Sequence, residues 1–582
     1  MVNRKRLATL FVAALTLVTV DSFGCTNFLF SKGATKDGST MITYAADSHV
    51  LYGELYYNRA AQYPAGTMLQ VIDWDSGKPL AKIPQVAQTY TTVGNMNEWG
   101  LAIGETTYGG RTECEDPTGG IDYGSLIYLS LQRCKTAREA IKNIAEMVEK
   151  YGYASEGESL SISDGEEVWI MEIIAKGKPI LDKNGKVVKG WTKGAVWVAR
   201  RVPEGYICAH ANQSRISTFP LETKKSFKSI SSKHLKDIFR PEVETVYSSD
   251  VISFARLAGF FKGEDKDFSF CDAYAPITFE GARGCEARVY AMFLRCNKSM
   301  KEYEDYAMGH NLTHRMPLWI KPDHQLSVKE VMDLMRDHYE GTPMDMTNDL
   351  GAGPFKCPYR WRPMNWNVDG KEYVHERATS TQQTGFSFVA QTRSKMPNPV
   401  KGIIWFGVDD TYTTVYCPMY AAMNSVPENY RVGNGSMLEF SETSAFWLFN
   451  QVSNFAYTRY SDMIVDIKAQ QNYLENSFID EVASIDRRLL KEGTSENEMR
   501  EIITQFSTDK AKQTFTTWKN LYQHLFVKYV DGNVKKEKDG QFEHNQYRDN
   551  QPVMPNQPKY PDSWYRMIVK DHGDVIAVPE KK

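Results

Sequence analysis

In the first third of the chain, apolar positions recur mainly at every second residue, in short runs separated by turn residues. Cys25-Thr26-Asn27-Phe28-Leu29-Phe30 alternates in this way. Asp37-Gly38 is a hairpin-turn signal, and Ser39 to Ala46 is a second strand-like run leading to Asp47-Ser48-His49. The pattern predicts a hairpin whose second strand returns Asp47 toward Cys25. Further runs flank turns at Asn97-Glu98 (92–96 with 100–106), Asp164-Gly165 (160–163 with 168–174) and Pro203-Glu204-Gly205 (195–200 with 206–210). Repeated hairpins predict a largely antiparallel sheet.

Helical spacing interrupts this pattern. Thr136-Ala137-Arg138-Glu139 has the form of a capping box, followed by Ala140, Ile141, Ile144, Ala145 and Val148 on one face and Gly152 as a stop. Ser327-Val328-Lys329-Glu330 repeats the signal ahead of Val331, Leu334 and Met335. From Ser461 to Tyr529 strand signals fade and helical spacing dominates. There Phe515, Trp518, Leu521, Tyr522, Leu525, Phe526 and Tyr529 form an aromatic-rich face, expected to pack on the rest of the protein. Asp531 to Lys559 is polar, charged and proline-bearing, which predicts a loose arm. Taken alone, the pattern supports an α+β fold.

The first residues follow neither period. Arg4, Lys5 and Arg6 precede an uncharged, mostly apolar run from Leu7 to Val20, and Ser22-Phe23-Gly24 follows. This is the layout of a secretory signal peptide cleaved after Gly24, and it predicts export to the periplasm or the extracellular space. The run is too short to span a bilayer comfortably. Gly24-Cys25 also admits a lipobox, although Ser22 stands where that motif prefers a branched apolar residue. Removing residues 1–24 takes away Arg4, Lys5, Arg6 and Asp21, leaving 66 basic and 71 acidic residues and a net charge of −5. That balance argues against a nucleic-acid partner, and no later segment is apolar enough for a membrane span. A homo-oligomer is compatible with the sequence. Nine cysteines in 582 residues are too sparse for a disulfide scaffold, and the odd count leaves one without an internal partner.

Signal cleavage would give that cysteine an identity. A chain beginning at Cys25 carries a thiol and an α-amine on one residue, with ordinary pKa values of about 8.5 and 7.7–8.0. The amine can take the thiol's proton, so nucleophile and base are met within one residue. Asp47, on the partner strand, could orient the amine by a charge-assisted hydrogen bond.

CTNFLFSKGATKDGSTMITYAADSH resembles the start of dipeptidase A-type cysteine peptidases, which are similar to secernins and, more distantly, to choloylglycine hydrolases and penicillin V acylases. All are N-terminal nucleophile hydrolases. The resemblance recurs in family order in TVGNMNEWGLAIGETTYGG (92–110), DYGSLIYLSLQRCKTAREAI (122–141), AHANQSRI (209–216), HERATSTQQTGFSFVAQTRS (375–394) and WFGVDDTYTTVYCPMY (405–420). It implies a four-layer αββα sandwich over residues 25–460, after a signal peptide at 1–24 and before a helical extension and polar tail at 461–582. It implies Cys25 as nucleophile, with Asp47 and Asn212 as its catalytic partners and Asn212 as an oxyanion donor. Asn95, Asn97 and Thr106 are rivals for that last role, Asn97 being better suited to its turn. Glu105 and Thr106 fall where related hydrolases place pocket residues, and Arg288 is the candidate for the family's second site arginine, with a surface or structural ion pair as its alternative; all three are expected to bind substrate. One departure concerns Tyr44: acylase relatives and many dipeptidases carry arginine at that position, three residues before the aspartate.

No HExxH, CxxC, GxSxG or P-loop occurs, which leaves zinc peptidases, serine hydrolases and nucleotide enzymes without support. His49 and His210 could form a papain-like dyad with a cysteine, but the papain signatures are missing and an N-terminal cysteine needs no histidine. The sequence thus reads as an exported cysteine-type dipeptidase acting on short peptides without cofactor or metal. An acylase of the same fold acting on penicillin V-type or bile-salt-type amides is the first alternative. A non-enzymatic surface lipoprotein with an acylated Cys25 is the second.

Overall fold

The structure, a computed structural model, describes residues 24–491 and 493–580. The signal segment expected at 1–24 therefore lies, except for Gly24, outside the described residues.

Two large sheets form the centre. One has seven strands, in the order Trp319–Ile320, Ile207–His210, Asn27–Phe30, Thr40–Asp47, Thr384–Thr392, Gly402–Val408 and Cys417–Tyr420. The other has nine: Ser229–Ser231, Thr245–Tyr247, Ala195–Arg201, Val168–Ala175, Gly157–Ser163, Ala102–Gly109, Met96–Asn97, Thr92–Val93 and Tyr57–Asn58. Every pairing in both is antiparallel except Ser229–Ser231 with Thr245–Tyr247.

Side-chain alternation explains the layering. In Val168–Ala175, Val168 and Ile170 enter the core shared by the two sheets. Trp169, Met171 and Ile173 point the other way, into a core shared with helices. Both faces are buried, so the strand is apolar throughout rather than alternating apolar with polar. The helices Tyr123–Arg133 and Ala137–Tyr151 cover the outer face of the nine-stranded sheet. Ala445–Tyr457, Tyr460–Lys491 and Glu496–Tyr529 cover the far end of the seven-stranded sheet. The result is the α+β, αββα architecture expected above.

The local signals hold in detail. Thr136 caps Ala137–Tyr151 by accepting from the Glu139 amide, and the helix ends at Gly152 at φ 78°. Glu139 reaches back to the Lys135 amide rather than to Thr136. The Ser327–Glu330 capping box closes reciprocally and opens Val328–Leu334. Trp518 is buried and stacks on Phe449, while Phe526 of the same expected apolar face is 49% exposed. In the expected loose arm, short ribbons form at 537–542 and 544–552, followed by the helix Asp562–His572.

Two hairpin expectations need correction. Residues 195–200 and 206–210 do not pair. Ala195–Arg201 joins the nine-stranded sheet, while Ile207–His210 crosses to the other sheet and pairs with the opening strand, His210 opposite Asn27. Pro203-Glu204-Gly205 is thus a crossover between layers. The 92–96 run splits into two short strands because the chain turns at Gly94, φ 53°.

No helix among the described residues is long and apolar enough to cross a membrane. None of the nine cysteines forms a disulfide.

Candidate active site

The opening hairpin forms as the alternation predicts, with Leu29 opposite Ile42 and a bridge from Thr26 to Ala45. This register places Cys25 beside the end of the second strand. The Gly24 amide donates to the Asp47 carbonyl at 2.9 Å. The two sheets approach closely here: a Cβ on Gly104 would come within 2.8 Å of the Asn27 side chain. The next residue, Glu105, is thereby set against Cys25.

Cys25 is 4% exposed and opens onto a cavity of about 180 Å³. Its Sγ lies 3.6 Å from the Tyr44 hydroxyl and 3.6 Å from Glu105 Oε1, and the Tyr44 hydroxyl donates to the same Glu105 oxygen. Asp47, Ser48, Asp75, Asn95 and Tyr123 complete the polar lining; Trp74, Tyr128, Ile127 and Phe386 contribute to an apolar wall. Burial, then the negative charges of Glu105 and Asp47, hold the Cys25 thiol well above its ordinary range. Burial likewise raises Glu105, against the opposing hydrogen bond from Tyr44.

Asp47 is 1% exposed. Thr384 donates to its Oδ1 at 2.5 Å and Arg377 Nη2 to its Oδ2 at 2.6 Å. Burial raises its pKa, and the arginine's charge and these hydrogen bonds oppose that rise. The same Arg377 nitrogen donates to the Gly24 carbonyl. One guanidinium therefore clamps both the carboxylate and the peptide bond that precedes Cys25.

Arg288 lies in the helix Ala287–Cys296 and is 1% exposed. Its Nη1 donates to the Cys25 carbonyl at 2.6 Å and to Thr26 Oγ1 at 2.9 Å, and its Nη2 to Asn212 Oδ1 at 2.9 Å. Asn212, at φ 54°, donates from Nδ2 to the Thr107 carbonyl at 2.6 Å. It lines a neighbouring cleft rather than the Cys25 cavity. Asn95 lines the Cys25 cavity and donates to the Ile103 carbonyl at 2.8 Å. The Asn97 carboxamide serves its turn and the end of the helix Tyr123–Arg133, donating to Leu131 and Cys134.

Thr106 bonds His210 Nδ1 at 2.8 Å, and His210 Nε2 meets Ser161 at 2.7 Å, between the sheets. Burial pushes the His210 pKa down to about 3, so the ring is neutral near pH 7. His49 is exposed, and among the described residues no histidine lines the Cys25 cavity. The structure thus gathers Cys25, Asp47, Glu105 and Arg288 around one residue, ties Asn212 to them through Arg288, and places Thr106 in the packing behind.

Arg377 and Thr384 are site residues that sequence reasoning did not single out, although both fall in the 375–394 block. The strand Thr384–Thr392 pairs with Thr40–Asp47, with Thr384 opposite Asp47, so the segment leading into it must pass the carboxylate. Tyr44 drew notice only as the place of a missing arginine. Arg377 supplies the positive charge beside Asp47 from elsewhere in the chain.

A model of peptidase family C69 matches residues 24–473. The chain belongs to peptidase family C69. Relatives of this C69 peptidase include a probable dipeptidase of Latilactobacillus sakei, 22% identical over 76% of this chain and 82% of that protein. A probable dipeptidase B of Streptococcus pyogenes is 22% identical over 90% and 97%. Dipeptidase A of Lactobacillus helveticus is 22% identical over 75% and 82%. Among solved structures, penicillin V acylase from Agrobacterium tumefaciens aligns over 25% of this chain and 46% of its own, at 17% identity and a TM-score of 0.18.

Proposed function

We propose that this peptidase is an exported dipeptidase in which Cys25, made N-terminal by removal of residues 1–24, is the nucleophile and its own α-amine the base. The observation that carries this reading is the clamp on the Gly24–Cys25 bond. Arg377 holds the Gly24 carbonyl and the Asp47 carboxylate with one nitrogen, so cutting that bond leaves the new amine beside Asp47. The thiol of the same residue already faces the cavity. The curated relatives are named as dipeptidases, and a cavity of about 180 Å³ suits a short substrate.

The neutral amine takes the thiol proton, and the thiolate attacks the scissile carbonyl. The tetrahedral oxygen is held by the Asn95 carboxamide, which lines the cavity. Asn212 acts as a positioning residue through Arg288, which fixes the Cys25 carbonyl. The ammonium returns its proton to the leaving nitrogen and the first product departs. The amine then deprotonates water, which hydrolyses the thioester, and the thiolate recovers the proton.

The test is hydrolysis of a dipeptide panel beside a phenoxyacetyl β-lactam and a conjugated bile acid, by the wild type and by Cys25→Ala. Peptide turnover that Cys25→Ala abolishes, with unchanged circular dichroism, is expected. Turnover of the non-peptide amides alone, or full activity in Cys25→Ala, would refute the proposal.

A further inference from the structure

Beside the nucleophile cavity lies a larger cleft of about 530 Å³. The two share a wall made by Asp75 and Tyr123, whose hydroxyl donates to Asp75 Oδ1 at 3.1 Å. The larger cleft is acidic. Asp73, Asp75, Glu115, Glu156 and Glu158 line it, and among the described residues no lysine, arginine or histidine does. Burial, then acidic neighbours, raises the carboxyl pKa of Glu156. Burial also raises that of Asp75, against the Tyr123 hydrogen bond.

A second observation points to a ligand. Glu158 is 1% exposed; its Oε1 accepts from Thr107 at 2.6 Å and its Oε2 has no donor, and burial, then the facing Glu105 carboxyl, raises its pKa well above the ordinary carboxylate range. Ionising a buried carboxyl without a partner is costly, and a cation in the cleft would supply that partner and favour the charged form. Among the described residues, no three His, Cys, Asp or Glu side chains converge tightly enough to hold a metal ion. An organic cation fits the open, tyrosine-walled space better.

We propose that this cleft receives the cationic side chain of a lysine or arginine residue flanking the scissile bond. The inference rests on the reading of Cys25 as the nucleophile of a short-peptide hydrolase. Glu105 touches Cys25, and Thr107, two positions on, pairs opposite Glu158. At roughly 3.3 Å per strand residue, the two positions are about 7 Å apart. An extended lysine or arginine side chain has that reach when its own carbonyl lies at Cys25. Its charged end meets Glu158 and the rim carboxylates, and its methylene stem runs along Tyr108 and Tyr123.

The experiment compares kcat/KM of the active enzyme on Lys-Ala, Arg-Ala and Ala-Lys with that on the norleucine isosteres. At one position or the other, the basic peptide should exceed its isostere by roughly tenfold or more. Glu115→Gln combined with Glu156→Gln, both on the exposed rim, should move that ratio toward one. A wild-type ratio of one, or a ratio unchanged in the double variant, overturns the proposal. So does a preference abolished by α-acetylation but indifferent to the side chain, because the α-ammonium is then the recognised cation. Cleavage of Ala-Ala and norleucine-Ala without basic preference removes only this inference; cleavage of no peptide removes the reading of Cys25. Calorimetric titration of Cys25→Ala with L-lysine amide against L-norleucine amide tests the cleft independently of turnover, and equal affinities would overturn it.

Discussion

Replacing Arg377 by Met tests whether the clamp on Asp47 is energetically real. The substitution keeps the apolar stem and removes the guanidinium that donates to Asp47 Oδ2 at 2.6 Å, to the Gly24 carbonyl and to the Ala378 carbonyl at 2.6 Å. Asp47 is then a buried carboxylate with one side-chain donor, Thr384. Breaking a buried ion pair from one side costs about 3–5 kcal/mol. The Thr384 hydrogen bond and the charge of Arg288 remain and offset part of this, which places the expected loss near the lower end, about 3 kcal/mol. In an Asp47→Asn background the charge that needed compensation is gone, so Arg377→Met should cost about 2 kcal/mol less. Urea midpoints of the wild type, both single variants and the double variant give the coupling directly. Losses that add to within about 0.5 kcal/mol would refute the clamp as an interacting pair.

Further outcomes follow from the same geometry. With Cys25 N-terminal as proposed, the Asp47 carboxylate is expected to favour the ammonium form of its amine, so Asp47→Asn should move the acid limb of the kcat/KM profile to lower pH; an unmoved limb would separate Asp47 from the base. Tyr44→Phe strips a donor from buried Glu105 and should lower stability by about 1–3 kcal/mol, read as a shifted urea midpoint. His210 has a folded pKa of about 3 against 6.5 for the free group, so between those values the unfolded chain binds a proton that the fold does not. Its share of stability is therefore lost as pH falls from about 6.5 toward 3, by up to about 1.4 kcal/mol per pH unit, and His210→Gln should flatten that part of the curve. Trp518→Ala should cost about 3–5 kcal/mol by emptying a stacked, buried position, whereas Phe526→Ala on the same helix should cost far less.

The antiparallel strands, two helix starts and the setting of Cys25 were legible because their signals are local, whereas the αββα layering came from the family resemblance. Alternation in the opening hairpin and the turn at Asp37-Gly38 were enough to bring Asp47 back to Cys25. The capping signals at Thr136 and Ser327 marked two helix starts. What escaped depends on pairing between distant segments. Nothing near Pro203 tells whether the following strand stays in its sheet or crosses to the other; the partner of Ile207–His210 lies in the opening strand. Arg377 escaped for the same reason, since its place beside Asp47 is set by the pairing of Thr384–Thr392 with Thr40–Asp47. The acidic cleft draws its carboxylates from segments around 73–75, 115 and 156–158, and no single stretch shows them together.

The central claim is that catalysis uses a free Cys25 amine and thiol. Intact mass and N-terminal sequencing of the purified, active protein test it most directly. The account predicts a chain beginning Cys-Thr-Asn-Phe with an unmodified α-amine. A fully active protein whose first residue lies elsewhere, or whose Cys25 is acylated, would contradict it.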